Sequence, residues 1–342
     1  MATFKIYKLH FTSPLHIGDQ HEEESISHKT IFSDTLQAAL MACLAKMGVA
    51  IPDNGDLGFT LSCTFPYYQQ GKDSAPIYFL PMPMQATLPN LVDVAKAKKV
   101  KKVQWVDAAL YEKLMAGESF FDNTGTYIPN IQETYLTQTD IPEDVNGSKE
   151  FVKSEVAQRV TITSRTGQDD AKPYFVDRVV FRDWSGLYFI AMGDTTLLDK
   201  GLSFLSQEGI GTDRHVGYGF FEYTTDNMNL PLPTDADHLV SLSLFIPESK
   251  EQLLQMLSTE LAAYDFVRRG GWITTYPYNT LRKNAIYGFT PGSVFKKVSN
   301  EEVSCLGKIV ELTPQVGEMT PAHKIWRNGK SIMLPIKMTT CV

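Results

Sequence analysis

Four glycines, Gly209, Gly211, Gly217 and Gly219, surround Arg214 and His215 just ahead of the aromatic run Phe220-Phe221-Glu222-Tyr223. That composition can hold an oxyanion. Glycine admits positive φ and lets main-chain N–H groups approach a phosphate with no Cβ in the way, and a guanidinium adds two forked donors. Two familiar phosphate loops are excluded by order, because a dinucleotide-binding loop and a Walker A loop both lead from glycines into a helix. Here a helical stretch, Thr195 to Gln207, comes before the glycines and a strand from Phe220 to Tyr223 comes after them. A plain Gly-rich helix-to-strand connection is the bland alternative. Arg214 and His215 inside the loop favour the anion.

The other candidate chemistry is thinner. Seven histidines raise the question of a metal or a nuclease, but His16, His21 and His28 are irregularly spaced and no His-Glu-x-x-His occurs. Cys43, Cys63, Cys305 and Cys341 form no Cys-x-x-Cys pair, so neither zinc nor a disulfide framework is indicated, and no cofactor is expected. His16, in the turn Leu15-His16-Ile17-Gly18, keeps two readings open. It is either a general base acting on an RNA 2′-hydroxyl without metal, or a hydrogen-bonding residue against RNA or backbone. Ser33 and Asp34 read first as helix N-caps, and a helix N-terminus also attracts phosphate, which Asp34 opposes. Arg165, Arg268 and Arg269 are further cationic candidates, the last two read as lying at a helix C-terminus, where arginine is ordinarily a dipole partner. Arg282, Lys283, Lys296 and Lys297 complete a basic second half, with ordinary surface lysine the safer reading for the last two. The stretch 96–102 holds five lysines in seven residues near Trp105. Such a run is either a solvated face or a grip on a phosphate backbone.

These residues need elements to position them. At 342 residues, 43% hydrophobic and 21% charged, the chain is long enough for two cored domains of about 150 residues each. The net charge of −7 argues against a free-standing nucleic-acid binder, so any RNA contact must be local. No signal-peptide pattern and no run of 18 apolar residues is present, which gives the expectation of a soluble cytoplasmic protein with no membrane contact. Phe4 to Phe11 alternates as a half-buried strand, and Ser33 opens a helix with Leu36, Leu40, Cys43, Leu44 and Met47 on one face and Gly48 as its stop. Strands follow at Phe59 to Phe65 and Ile77 to Leu80. Gly117 to Val156 reads as a long polar insertion, Val160 to Arg165 as a strand, and Tyr174 to Phe181 with Leu187 to Met192 as a hairpin. With the helix before the glycine loop and the strand after it, this order is βαββαβ, ferredoxin-like. Asp226 to Asp235 is the linker candidate. Beyond it a strand at Leu239 to Ile246, a helix at Ser249 to Tyr264 and strands at Gly271 to Tyr276, Ser293 to Val298, Lys308 to Leu312 and Ile332 to Ile336 repeat the plan. The expected fold is α+β, two ferredoxin-like (RRM-like) domains with insertions, over residues 1–225 and 238–342.

Taken together, the His16-Ile17-Gly18 turn, the Phe32-Ser33-Asp34-Thr35-Leu36 helix start, the Val160 to Arg165 strand and the Gly209 to Gly219 loop resemble the RAMP (repeat-associated mysterious protein) superfamily. More narrowly they are similar to subunit four of type III-A (Csm) CRISPR effector complexes. Ser241 to Pro247, Arg269-Gly270-Gly271-Trp272, Pro291 to Phe295 and Gly329-Lys330-Ser331 occur in that family's order. The resemblance implies an antiviral ribonucleoprotein subunit with no catalytic residue, holding the 5′ handle of the CRISPR RNA through His16, Gly18, Ser33, Arg165, Gly209, Gly211, Arg214, His215, Gly217 and Gly219. Arg268 and Arg269 are added to this RNA-binding set as cationic residues. It also implies contacts to a large polymerase-like subunit and a backbone RAMP subunit, and a hairpin thumb reaching target RNA near the 5′ end of the guide. The thumb is expected within Gly117 to Val156, with Lys96 to Lys102 as its rival. The alternative function is a metal-independent CRISPR RNA-processing endoribonuclease with His16 as base. Asp213 departs from the pattern, since a small or basic residue suits a phosphate better there.

Overall fold

The computed structural model describes residues 1–18, 26–84, 101–118, 130–161, 172–298, 301–315, 317 and 320–338. In chain order, β1 (Ala2–Phe11) and α1 (Ser33–Lys46) are followed by the short strands β2 (Phe59–Leu61), β3 (Phe65–Tyr68), β4 (Ile77–Pro81) and β5 (Trp105–Asp107). Helix α2 (Ala108–Met115) is capped by Asp107, whose carboxylate accepts the Leu110 N–H at 2.8 Å. Then come β6 (Asn130–Gln132), β7 (Tyr135–Thr137), β8 (Val152–Thr161), β9 (Lys172–Phe181), β10 (Gly186–Gly193), α3 (Thr196–Glu208) and β11 (Phe221–Leu230). The second half holds β12 (His238–Ser241), α4 (Lys250–Met256), β13 (Phe266–Arg269), β14 (Ile286–Phe289), β15 (Val294–Lys296), β16 (Ser304–Leu306), β17 (Ile309–Glu311), β18 (Trp326–Asn328) and β19 (Ser331–Ile336).

Strand β1 is the spine. Among the described residues the main sheet runs β11-β1-β10-β3-β4-β5-β7-β6, with β2 also paired to β10. β1 is antiparallel to both neighbours, so that Leu9 faces Leu187 on one side and Tyr223 on the other. Its alternation does not mark one dry face and one wet one. Tyr7, Leu9 and Phe11 pack with Leu36, Leu40, Cys43 and Leu44 of α1 and with Leu198, Leu202 and Leu205 of α3. Phe4 and Ile6 pack on the opposite face with Leu110 of α2 and with Val240, Leu242, Ile332 and Leu334 of the second half. The two halves are therefore joined through the sheet's back face, and apolar burial of this kind is worth about 25 cal/mol per Å². Backbone bonds reinforce the seam, the Cys63 N–H donating to Leu242 O at 2.8 Å.

Several local expectations are corrected. Tyr174–Phe181 and Leu187–Met192 do not pair: β9 pairs with β8 over ten residues, while β10 joins β1, β2 and β3. Alternation specifies a face, not a partner. Asp226 to Leu230 is no linker but the end of β11, paired with Ala2 to Ile6. It is polar because β11 is the sheet's edge strand, with exposed side chains at 224–227. The helix expected at Ser249 to Tyr264 ends at Met256, the Ser258 hydroxyl donating to Gln255 O at 2.7 Å in place of a further turn. Met256 is buried there and Leu254 is exposed. Met47, expected on the apolar face of α1, follows the helix and is exposed. Gly117 to Val156 contains β6, β7 and the start of β8, with residues 119–129 outside the described set. Arg268 and Arg269 lie on β13, not at a helix end, and Gly271 to Tyr276 forms no strand.

Candidate nucleic-acid interface

The glycine loop is stitched to the turn after β1. Gly209, at φ 75°, ends α3 with its N–H on Leu205 O at 2.8 Å, and Ile210 donates to Gly219 O at 2.9 Å. Across the gap Gly219 donates to Pro14 O at 2.8 Å, Thr212 to His16 O at 2.9 Å, and Phe220 to the Ser13 hydroxyl at 2.9 Å. At Gly211 and Gly219, with φ of 97° and 74°, an added methyl would overlap the carbonyls of His16 and Ile210 respectively. Those two glycines are required by close backbone approach. Gly217, at φ 95°, faces open space.

The middle of the loop points outward. Its N–H groups at Ile210, Thr212, Val216, Gly217, Tyr218 and Gly219 are bonded within the fold. Those of Gly211, Asp213, Arg214 and His215 have no partner among the described residues. Asp213 is left-handed at φ 63° and opens the short 3₁₀ turn Arg214–Val216, so three successive N–H groups stand unpaired among the described residues at the start of the turn. The objection raised by the Asp213 carboxylate is answered by Arg159 of β8, which donates to it at 2.6 Å and lies over the Tyr218 ring at 4.6 Å. Arg214, half-buried, makes no hydrogen bond or ion pair with a described residue. The loop's own acid is neutralised and its own base is left over.

His16 and Gly18 join this site, though His16 does so through its backbone. Its ring is buried and Nδ1 donates to Asp177 O at 2.5 Å, which leaves Nε2 as acceptor. Nε2 lies 3.5 Å from where a methyl on Gly18 would stand, with the Thr212 hydroxyl at the same distance. His215 and Gly217 sit exposed on the loop.

The remaining candidates are elsewhere. Arg165, like Lys96, Lys98 and Lys99, lies outside the described residues, and Lys101 and Lys102 form an exposed turn. Ser33 does not cap α1: Phe32 holds the N-cap position, and the buried Ser33 hydroxyl accepts the Leu244 N–H at 3.0 Å. Asp34, expected as a cap, is buried and gripped by two arginines of the second half. Arg269 Nε donates to it at 2.9 Å and Nη2 at 3.2 Å, and Arg327 Nη1 donates to the same carboxylate. Burial drives this carboxyl up, but Arg327 and Arg269 outweigh it and hold it below the usual carboxylate range. Arg268 is exposed on the opposite face of β13, across from Tyr287. Sequence reasoning missed Arg159 and Arg327. Each meets its partner across a long stretch of chain, and no local spacing signals it.

Among the described residues no group of three or more His, Cys, Asp or Glu could hold a metal, and no helix is long and apolar enough to cross a membrane. Residues 234–336 match the family model for the CRISPR Csm4 C-terminal domain. The chain is 28% identical over 299 residues to the CRISPR system Cms protein Csm4 of Mycobacterium tuberculosis, covering 82% of this chain and 85% of the relative. It is 26% identical to the protein of that name from Streptococcus thermophilus, covering 91% and 93%. Its fold is similar to a chain in the crystal structure of the Csm3-Csm4 subcomplex in the type III-A CRISPR-Cas interference complex, with a TM-score of 0.61, 17% identity and coverage of 98% and 100%. A chain of a Csm1-Csm4 cassette in complex with AMPPNP matches with a TM-score of 0.57, 18% identity and coverage of 99% and 100%. The family-model match over residues 234–336 and these relatives agree: the chain is similar along nearly its whole length to Csm4 proteins of CRISPR systems.

Proposed function

We propose that the chain is a non-catalytic CRISPR RNA-binding subunit that holds the 5′ handle at the base of a type III-A effector. The observation that carries this is the glycine loop itself, where the adjacent N–H groups of Asp213, Arg214 and His215 and the Arg214 guanidinium have no hydrogen-bond partner among the described residues. A phosphodiester supplies the missing acceptor oxygens. Gly18 and the His16 backbone complete the loop's cradle. The buried His16 ring, with Nδ1 spent on a carbonyl, serves in this reading to position the cradle.

Similar chains are found in structures described as Csm1-Csm4 cassettes and a Csm3-Csm4 subcomplex. We take the partners to be the corresponding large subunit and backbone subunit. The strand order β11-β1-β10-β2, with α1 after β1 and α3 after β10, supports a ferredoxin-like first domain, and we assign the same plan to the second half. The thumb is best matched by the β8–β9 ribbon, two ten-residue strands with Val156, Val160 and Phe175 exposed, rather than by Gly117 to Val156.

Replacing Arg214 with alanine is expected to weaken binding of handle RNA most at low salt. It should also flatten the slope of log K against log salt by about 0.7 for one single-strand phosphate contact. Filter binding over a potassium chloride series reads both, and an unchanged melting curve shows that the fold is kept. Identical affinities across the series would remove Arg214 from the interface. In the same preparation, sequence-specific cleavage of repeat RNA in chelator that is lost in His16→Ala would overturn the non-catalytic reading.

A further inference from the structure

The ring of His16 is committed on one edge only. Its Nδ1 donates to Asp177 O at 2.5 Å, so in the neutral imidazole Nε2 carries a lone pair and can only accept. The residue is 2% exposed. Nε2 nevertheless has no hydrogen-bond partner among the described residues and is not among the atoms sealed from solvent. Thr212 is exposed, and its hydroxyl likewise makes no hydrogen bond to a described residue.

These two groups border one gap. A Cβ built on Gly18 would lie 3.5 Å from Nε2 and 3.5 Å from the Thr212 hydroxyl, with no other described atom within 4 Å beyond its chain neighbours. Glycine thus leaves open the approach between an acceptor and a hydroxyl, at an exposed point of the surface. The gap is tied to the glycine loop, since the Thr212 N–H donates to His16 O at 2.9 Å. Asp213, Arg214 and His215, whose N–H groups are unpaired among the described residues, follow Thr212 directly.

An anion does not suit this gap, because Nε2 presents a lone pair to it. A hydroxyl does, since it can donate to Nε2 and accept from Thr212. In RNA the 2′-hydroxyl sits on the carbon next to the one that bears the 3′-phosphate, so a phosphate on the loop N–H groups brings such a hydroxyl alongside. We propose that His16 Nε2 and the Thr212 hydroxyl bind the ribose 2′-hydroxyl of the nucleotide whose phosphate sits on the glycine loop, so that this gap distinguishes RNA from DNA. The site rests on the RNA-binding function proposed above and adds to it a choice of sugar.

Competition binding to the full chain, with handle oligonucleotides that carry a single 2′-deoxy or 2′-fluoro sugar at successive positions, tests it. In the native chain one position should lose about tenfold in affinity with either sugar, since neither can donate to Nε2. His16→Asn places an amide nitrogen where Nδ1 stood and keeps the donor to Asp177 O, but has no atom at Nε2. It should bind the ribose and 2′-deoxy probes alike. Gly18→Ala should do the same by filling the gap, with an unchanged melting curve, because contacts at 3.5 Å are ordinary ones. The positional penalty retained in either variant would overturn the site. Arg214-dependent handle binding with no such penalty in the native chain would overturn it too, and would leave the glycine-loop reading standing. Handle binding absent altogether would overturn both.

Discussion

Asp34→Ala is expected to cost about 3–5 kcal/mol of folding stability, because it strands two arginines in a buried site. The carboxylate is wholly buried, and Arg327 and Arg269 reach it with side chains that are themselves 6% and 12% exposed. Denaturant midpoints at constant m-value give the measurement. The triple variant Asp34→Ala/Arg269→Met/Arg327→Met should recover most of the loss, since an apolar replacement of a buried ion cluster no longer buries unpaired charge. A loss under about 1 kcal/mol in Asp34→Ala would mean that water reaches the arginines. The pH dependence has a definite sign. The folded carboxyl is held below its unfolded value, so its contribution is complete above about pH 4 and fades as pH falls through the folded-state pKa. The triple variant should lack this acid-side component.

The second large effect belongs to Gly219→Ala. The residue sits at φ 74°, and a methyl would overlap the Ile210 carbonyl, breaking the bonds from Ile210 to Gly219 O and from Gly219 to Pro14 O. A loss of about 2 kcal/mol or more in stability is expected, with handle-RNA affinity reduced more than about tenfold. Gly217→Ala is the control. It has a similar φ of 95° but open space around it, so it should pay only the left-handed strain of about 1–2 kcal/mol and keep the loop's bonds. If both variants bind RNA alike, the loop's internal bonding does not shape the interface.

How much of this was legible depended on how local the cause was. The first strand, the helix α1 and the glycine loop follow from periodicity and from glycine's conformational freedom, and each stands where the sequence puts it. Pairing partners were not legible. β9 alternates in the same way whether β8 or β10 lies beside it, so the ribbon that carries Arg159 was misplaced. Polarity at Asp226 to Asn229 reads as a linker, although an edge strand has the same composition. Asp213 looked adverse because its counter-ion is 54 residues away, and Asp34 looked like a cap because Arg269 and Arg327 are 235 and 293 residues away. Charge cancellation over such separations leaves no mark on local spacing.

The stitching of the glycine loop also has a temporal side. Its acceptors, Pro14, His16 and the Ser13 hydroxyl, lie near the start of the chain, and Arg159 lies upstream as well. During vectorial synthesis these parts leave the ribosome before Gly209 is made. The loop is thus the last piece delivered into a cradle already translated. A chain truncated before Phe221 would contain every glycine of the loop but lack the edge strand that pins its exit to β1, so a nascent chain should acquire RNA only once β11 has emerged and paired.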